Sequence, residues 1–200
     1  THMIISDTAQ GLLNQRNATA EQVKQYSAIR TSSLNDAAQF LQRATQLKPD
    51  FAASQFLLAQ VALRAGNIDL AIASTESASI AAPNDIGVAF QLGLLYYQKQ
   101  NYDRAQEAFL RAVALNDNYS NARYFLGLIL DQKGQHEEAM RNFEKIQALN
   151  PDNQEVKHIL QNLRAGKPAL TDITPPPEKR SDTPVKDEEG KEKTPISKKK

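Results

Sequence analysis

The chain's histidines and paired carboxylates are the residues that could support acid–base catalysis or bind a metal. His2, His136 and His158 are far apart in the sequence, and no cysteine is present to complete a zinc site. The adjacent carboxylates Glu137-Glu138 and Asp187-Glu188-Glu189 lie in charged, solvated segments, whereas an acid and base pair needs a cleft. The sequence also lacks a phosphate-binding glycine loop and a serine elbow. We therefore expect no enzyme, no metal site and no cofactor.

Composition bounds the class of protein and of partner. The chain has 200 residues, of which 40% are hydrophobic and 24% charged, and its formal net charge is +1. Such a chain can bury a core, but it has no overall field to attract nucleic acid or an anionic membrane. No apolar run approaches the ~20 residues that cross a bilayer. We interpret Thr1-His2-Met3 as a cloning remnant, so the upstream sequence stays open. Because the chain has no cysteine, its redox chemistry leaves the compartment open as well.

A repeat with a period of 34 residues dominates the sequence. Aligned apolar and small positions define a first helix in each unit: Leu58, Leu92 and Leu126, then Ala59, Gly93 and Gly127, then Ala62, Tyr96 and Leu130. A second helix follows with the same period: Ala71, Ala105 and Ala139, then Thr75, Phe109 and Phe143, then Ala78, Ala112 and Ile146, then Ala81, Leu115 and Leu149. Spacings of three and four residues predict that each unit is a helical hairpin.

Turn residues separate the predicted helices. Gly66, Gln100 and Gly134 fall where a left-handed residue would end each first helix, and Asn67 and Asn101 are the expected caps of the helices that follow. The ends of successive units carry Pro49, Pro83, Asp117 and Pro151.

The third unit resembles the tetratricopeptide signature. The residues that carry the resemblance are Leu126-Gly127, Gly134, Ala139, Phe143 and Asn150-Pro151. The resemblance covers residues 52–153 and implies an all-α, right-handed solenoid of about three and a half hairpins. The position where the family usually has Trp holds Gln55, Ala89 and Arg123, so one packing contact typical of the family should be missing.

The resulting organisation has an array, a cap and a tail. Residues 1–3 are the cloning remnant, 4–51 an incomplete and lengthened first repeat, 52–85, 86–119 and 120–153 three full repeats, 154–166 a capping helix, and 167–200 a disordered charged tail. Within the first repeat we expect one long helix over residues 20–48, with a break at Thr31-Ser32-Ser33 as the alternative. Residues 3–13 should form its partner helix.

The family resemblance implies that the first helices line a concave groove. The groove residues that we predict to bind a partner are Phe56, Gln60, Arg64, Phe90, Leu94, Tyr97, Gln98, Tyr124, Leu128 and Asp131. Aromatic side chains give large contact area with few rotatable bonds, which suits a peptide or helix ligand. The alternative is that these side chains merely pack against the adjacent helix.

Three functions are compatible with these patterns. Family members that hold a peptide carboxylate use Lys, Asn and Arg on the concave helices, and only Arg64 and Arg123 lie nearby here, so an apolar or helical ligand is the better hypothesis. The chain would then be a free protein-binding adaptor. Residues 90–97, 121–127 and 166–170 are also similar to the C-terminal repeat region of bacterial O-antigen ligase-like membrane proteins, which implies the soluble arm of a membrane-bound parent that handles surface polysaccharide. The third hypothesis is a self-assembling scaffold with weak self-association.

Overall fold

The chain folds as an array of helical hairpins. The computed structural model describes residues 2–13 and 19–173, and in those residues it contains α-helices and no strand. The helices are α1 (His2–Leu13), α2 (Ala20–Leu47), α3 (Ala52–Arg64), α4 (Ile68–Ala81), α5 (Ile86–Gln98), α6 (Tyr102–Leu115), α7 (Ser120–Gln132), α8 (His136–Leu149) and α9 (Gln154–Arg164). Each first helix packs on its own second helix, and that second helix packs on the next first helix. The predicted all-α solenoid of hairpins is confirmed.

The first hairpin is longer than the others because α2 is a single helix of 28 residues. Thr19 begins it with a capping box, in which the Thr19 hydroxyl accepts from Gln22 N–H and the Gln22 side chain accepts from Thr19 N–H. The helix continues without a break through residues 31–33, and the Thr31 hydroxyl donates to the Ser27 carbonyl at 2.9 Å. The prediction of one long helix is therefore confirmed, and the alternative, a break at Thr31-Ser32-Ser33, does not occur.

The turns inside the three full hairpins have the predicted left-handed residue. Gly66, Gln100 and Gly134 have φ of 78°, 59° and 76°. Asn67 and Asn101 follow as caps, and their side chains accept from the N–H groups of the third residue along, at 3.0 and 3.3 Å. Gln100 has a Cβ in a backbone region that favours glycine, so this turn is the most strained of the three.

The two helices of a hairpin approach closely where one carries glycine and the other phenylalanine. A Cβ at Gly93 would lie 2.5 Å from Phe109 Cε1, and a Cβ at Gly127 would lie 2.6 Å from Phe143 Cε2. Both phenylalanines are fully buried. The repeat keeps glycine at the eighth position of these two units because the ring of the opposite helix occupies the space of a side chain.

Neighbouring hairpins share their interior. One continuous cluster of buried side chains extends from Ala89 on α5 to Ala169 beyond α9, and it contains Phe109 and Phe143, with Leu92 packed against it. Single hairpins cannot bury their apolar faces alone, so this shared core stabilises the array from α5 onward. Smaller separate clusters, one with Leu34 and Val61 and one with Ala62, Ala71 and Leu95, join the earlier helices. Ion pairs follow the same stacking: Lys99 Nζ lies 2.9 Å from Asp69 Oδ1, and one unit later Lys133 Nζ lies 2.6 Å from Asp103 Oδ1.

The segment after α9 differs from the predicted tail. The tail was expected to begin at residue 167, but residues 167–173 pack back on the array, where Ala169 is fully buried and Ile173 contacts the shared core. The Asn162 side chain holds this exit segment by donating to the carbonyls of Ala169 and Thr171 at 3.1 and 2.7 Å. The exit segment has few apolar residues, but the hydrogen bonds from the Asn162 side chain to its backbone carbonyls help to order it. The prediction of disorder for residues 174–200 lies outside the described residues.

Candidate partner-binding surface

The predicted site residues lie on three consecutive first helices, and we call this surface the first-helix face. Its members occupy equivalent positions of the repeat: Phe56, Phe90 and Tyr124, then Gln60, Leu94 and Leu128, then Tyr97 and Asp131, then Arg64 and Gln98. Each equivalent position recurs after 34 residues, so stacking of the hairpins places corresponding side chains in rows across α3, α5 and α7.

An aromatic cluster occupies the middle of the first-helix face. The Phe90 ring contacts Tyr119 edge-on at 5.2 Å between centroids, and it contacts Phe109 at 5.8 Å. Tyr97 contacts Tyr102 edge-on at 5.5 Å. Phe90 and Tyr97 are half-buried, so these rings both pack within the array and keep part of their surface open.

Phe125 joins this cluster, although the sequence analysis did not select it. Its ring stacks on Phe109 at 5.3 Å and lies edge-on to Tyr97 at 5.3 Å and to Tyr124 at 5.7 Å. The aligned residues in the other units are Leu57 and Gln91, so the repeat gave no aromatic signal at this position. Phe125 links the half-buried rings of the surface to the fully buried core.

Tyr124 forms a contact between the last repeat and α9. Its hydroxyl donates to Glu155 Oε1 at 2.6 Å, and its ring lies edge-on to Phe143 at 5.8 Å. Burial raises the pKa of Tyr124 well above its ordinary value, and the neighbouring Glu155 carboxylate raises it further. Burial also raises the pKa of Tyr97. Both shifts favour the neutral phenol, the form that an ordinary tyrosine already has at neutral pH.

Asp131 is engaged within the chain through both carboxylate oxygens. Oδ1 lies 2.8 Å from His136 Nδ1, and Oδ2 accepts from the Ala169 N–H at 2.8 Å. The Asp131 side chain is 10% exposed. The exit segment thus covers this end of the first-helix face, which leaves Asp131 little surface for a partner.

The opposite end of the face also carries a paired charge. Arg64 Nε lies 3.4 Å from Asp7 Oδ1 of α1. Phe56, Gln60, Leu94 and Leu128 are half-buried, whereas Gln98 is exposed. Between its two charged ends the first-helix face therefore carries apolar, aromatic and amide side chains and no charged member.

The candidate catalytic residues are dispersed. His2 stacks on Phe40 at 5.7 Å, His136 pairs with Asp131, and His158 is exposed on α9. No group of three potential metal ligands occurs among residues 2–13 and 19–173. None of the helices that the structure describes is long and apolar enough to cross a membrane.

Family models identify the repeat. A model described as tetratricopeptide repeat matches residues 90–154, and a second model with the same description matches residues 28–92. Together the two matches extend from residue 28 to residue 154, which is more than half of the chain. The chain belongs to the tetratricopeptide repeat family.

Several solved structures share the fold of this chain. The crystal structure of MamA has a TM-score of 0.62 at 21% identity, over 74% of this chain and 85% of that one. YrrB, described as having an unusual peptide-binding site, has a TM-score of 0.61 at 20% identity, over 83% and 89%. The first tetratricopeptide domain of Spaghetti (RPAP3), bound to the HSP90 peptide SRMEEVD, has a TM-score of 0.53 at 23% identity, over 57% and 91%. No curated protein matches this tetratricopeptide-repeat chain.

Proposed function

We propose that this tetratricopeptide-repeat protein is a protein-interaction module whose first-helix face binds an apolar peptide or an amphipathic helix. Tetratricopeptide repeats in general mediate protein–protein interaction. The observation that carries the proposal is the uncharged middle of the face, where the side chains of Leu94 and Leu128 and the rings of Phe90 and Tyr97 pack against the core and are each only half-buried. Such an apolar strip between polar ends suits a ligand with a few apolar anchor residues.

Charge argues against an acidic peptide as the ligand. The RPAP3 domain is bound to the peptide SRMEEVD, which carries a carboxylate cluster. In this chain Arg64 is paired with Asp7, and the Arg123 guanidinium is bound to Asp117 and Asn142. These are the two cations that the sequence placed near the groove; Arg123 is only 13% exposed, and Arg64 already pairs with a carboxylate, so the attraction left for an acidic peptide is small.

A selection from a library of displayed peptides tests the proposal. The selected peptides should be rich in aliphatic and aromatic residues and should bind the double variant Leu94→Ala/Leu128→Ala at least about tenfold more weakly, a loss of about 1.4 kcal/mol. Leu110→Ala on α6 is the matched control, because Leu110 is a leucine of similar type that is 48% exposed on a second helix. Unchanged affinity in the folded double variant would exclude the first-helix face.

Self-assembly is the second candidate, and one observation favours it. An apolar cavity lies between α1 and α2, lined by Ile4, Ile5, Ala9, Tyr26 and Ile29. Ile4 is 70% exposed beside it, and exposed apolar surface of this kind promotes association. Light scattering should give an average mass that rises with protein concentration for the parent chain. The Ile4→Asp variant should keep the mass of a monomer at every concentration.

The membrane-bound parent stays a hypothesis based on sequence alone. The family models and solved structures described above are of tetratricopeptide type, and none of those named is an O-antigen ligase. Apolar membrane spans in the coding sequence upstream of residue 4 would select this alternative.

A further inference from the structure

We propose that a cleft between α4, α5 and α6 is a second binding site, which takes the indole ring of a tryptophan from a partner protein. The cleft has a volume of about 350 Å³, and Ala89, Leu92 and Ala108 form its apolar part. Arg104, Arg111 and Glu107 stand around it. The cleft lies between two second helices and contains none of the residues of the first-helix face, so this site is independent of the function proposed above.

The next repeat shows why the cleft is open. Ala89 aligns with Arg123 and Ala108 aligns with Asn142, at the shift of 34 residues. In that later unit the Arg123 side chain extends between the hairpins, donates to Asn142 Oδ1 at 3.2 Å and to the Asp117 carbonyl at 2.7 Å, and is 13% exposed. Two alanines, 3% and 7% exposed, replace this pair of polar side chains in the earlier unit, so no long side chain from these two positions enters the cleft.

The polar groups around the cleft have balanced charge. Arg104 Nη1 lies 3.4 Å from Glu76 Oε1 and donates to the Tyr96 hydroxyl at 2.9 Å. Arg111 donates to Ser79 Oγ at 2.8 Å and to the Pro83 carbonyl at 2.6 Å. The lining contains two carboxylates, those of Glu76 and Glu107.

Balanced charge favours a neutral occupant. The lining contains two guanidinium groups and two carboxylates, so an anion or a cation would gain little net attraction in exchange for its lost hydration. A flat ring can lie against the half-buried Leu92 side chain, and guanidinium groups interact favourably with an aromatic face. An N–H on that ring would have the Glu107 carboxylate as acceptor.

Indole meets these requirements. It is a neutral planar ring with one N–H donor, and a cleft of about 350 Å³ lies at the small end of ligand pockets, where one large aromatic side chain fits. The chain contains no tryptophan, so the ring would come from another molecule.

Because the chain contains no tryptophan, the fluorescence of a tryptophan probe can be followed without background from the protein. N-acetyl-L-tryptophanamide mimics a tryptophan residue within a peptide, and its fluorescence can be excited without exciting the chain's tyrosines. We expect saturable binding that shifts the emission of this probe to shorter wavelength. Ala89→Arg, which reproduces the side chain of the next repeat, should weaken binding at least about tenfold. Ala165→Arg is the matched control, because it makes the same Ala→Arg change at an exposed position after α9, outside both proposed sites, and its binding should be unchanged.

A second variant keeps the test decisive if Ala89→Arg does not fold. Glu107 is exposed, so Glu107→Ala should leave the melting temperature intact while it weakens binding several-fold. No saturable binding to the parent chain, or full binding to folded Ala89→Arg or to Glu107→Ala, would overturn the proposal. Tighter binding of free tryptophan than of the amide would also contradict it, because the proposed ligand is a residue within a polypeptide and not a zwitterion.

Discussion

Gly93 lies directly against the ring of Phe109, so that a Cβ at position 93 would lie 2.5 Å from Phe109 Cε1. The ring is fully buried and contacts both Phe90 and Phe125, so it cannot move away without displacing the aromatic cluster. This contact joins the hairpin's geometry to the first-helix face. A change at Gly93 should therefore affect both stability and binding.

Gly93→Ala is expected to lower the free energy of unfolding by about 1–3 kcal/mol, because the added methyl overpacks the interior. Urea denaturation followed by circular dichroism measures this. Gly11→Ala is the matched control, since a Cβ at Gly11 in α1 meets no atom within 4 Å. The control should be neutral or more stable by up to about 1 kcal/mol from helix propensity. Equal effects of the two substitutions would contradict the close approach.

Phe143→Ala is expected to cost about 3–5 kcal/mol, because it empties a fully buried site in the shared core. Phe40→Ala removes the same ring from a position that is 61% exposed, and it should cost less than about 1 kcal/mol. Chemical unfolding of both variants tests the prediction. Similar costs for the two rings would show that Phe143 is not part of a common interior.

Tyr124→Phe should make the chain less sensitive to alkaline pH. The pKa of Tyr124 is raised in the folded state, so above the unfolded value of about 10 the unfolded chain loses this proton while the folded chain keeps it. Stability from this group is thus present below pH 10 and falls as pH rises further. Urea midpoints at several pH values should fall less steeply in Tyr124→Phe than in the parent chain. Parallel curves would show that the phenol is not held by burial and Glu155.

Asp131→Ala should release the exit segment. Asp131 Oδ2 is the acceptor of the Ala169 N–H, so we expect hydrogen exchange at the Ala169 amide to accelerate at least about tenfold, or about 1.4 kcal/mol. Gln132→Ala changes the exposed neighbouring residue and should leave that exchange rate unchanged. Protection of Ala169 that survives in Asp131→Ala would assign the ordering of this segment to Asn162 alone.

The sequence predicted those features that the repeat imposes on every unit. Gly66 and Gly134 indicated the turns, because a turn needs a residue with positive φ. Gly93 and Gly127 indicated the close approach, because each faces a phenylalanine at a fixed distance along the chain. The pattern even placed Gln100 correctly in a left-handed turn, although its residue type does not favour that conformation.

Contacts that depart from the repeat could not be predicted. Phe125 has no aromatic counterpart in the other units, and the contact of Asp131 with Ala169 spans 38 residues and depends on where the chain runs after α9. The cleft at Ala89 was anticipated only as a missing packing contact, since its volume and its charged surroundings depend on side chains of three helices. Sequence periodicity therefore determines the scaffold, and its exceptions determine the candidate sites.

The most direct test of the proposed binding role is a nuclear magnetic resonance titration of the isotope-labelled chain with a selected peptide. The account predicts that the largest amide shift changes fall on α3, α5 and α7, around Gln60, Leu94 and Leu128, with smaller changes at the end covered by Asp131 and Ala169. Changes confined to the second helices α4, α6 and α8 would contradict it, because the ligand would then bind the opposite side of the array.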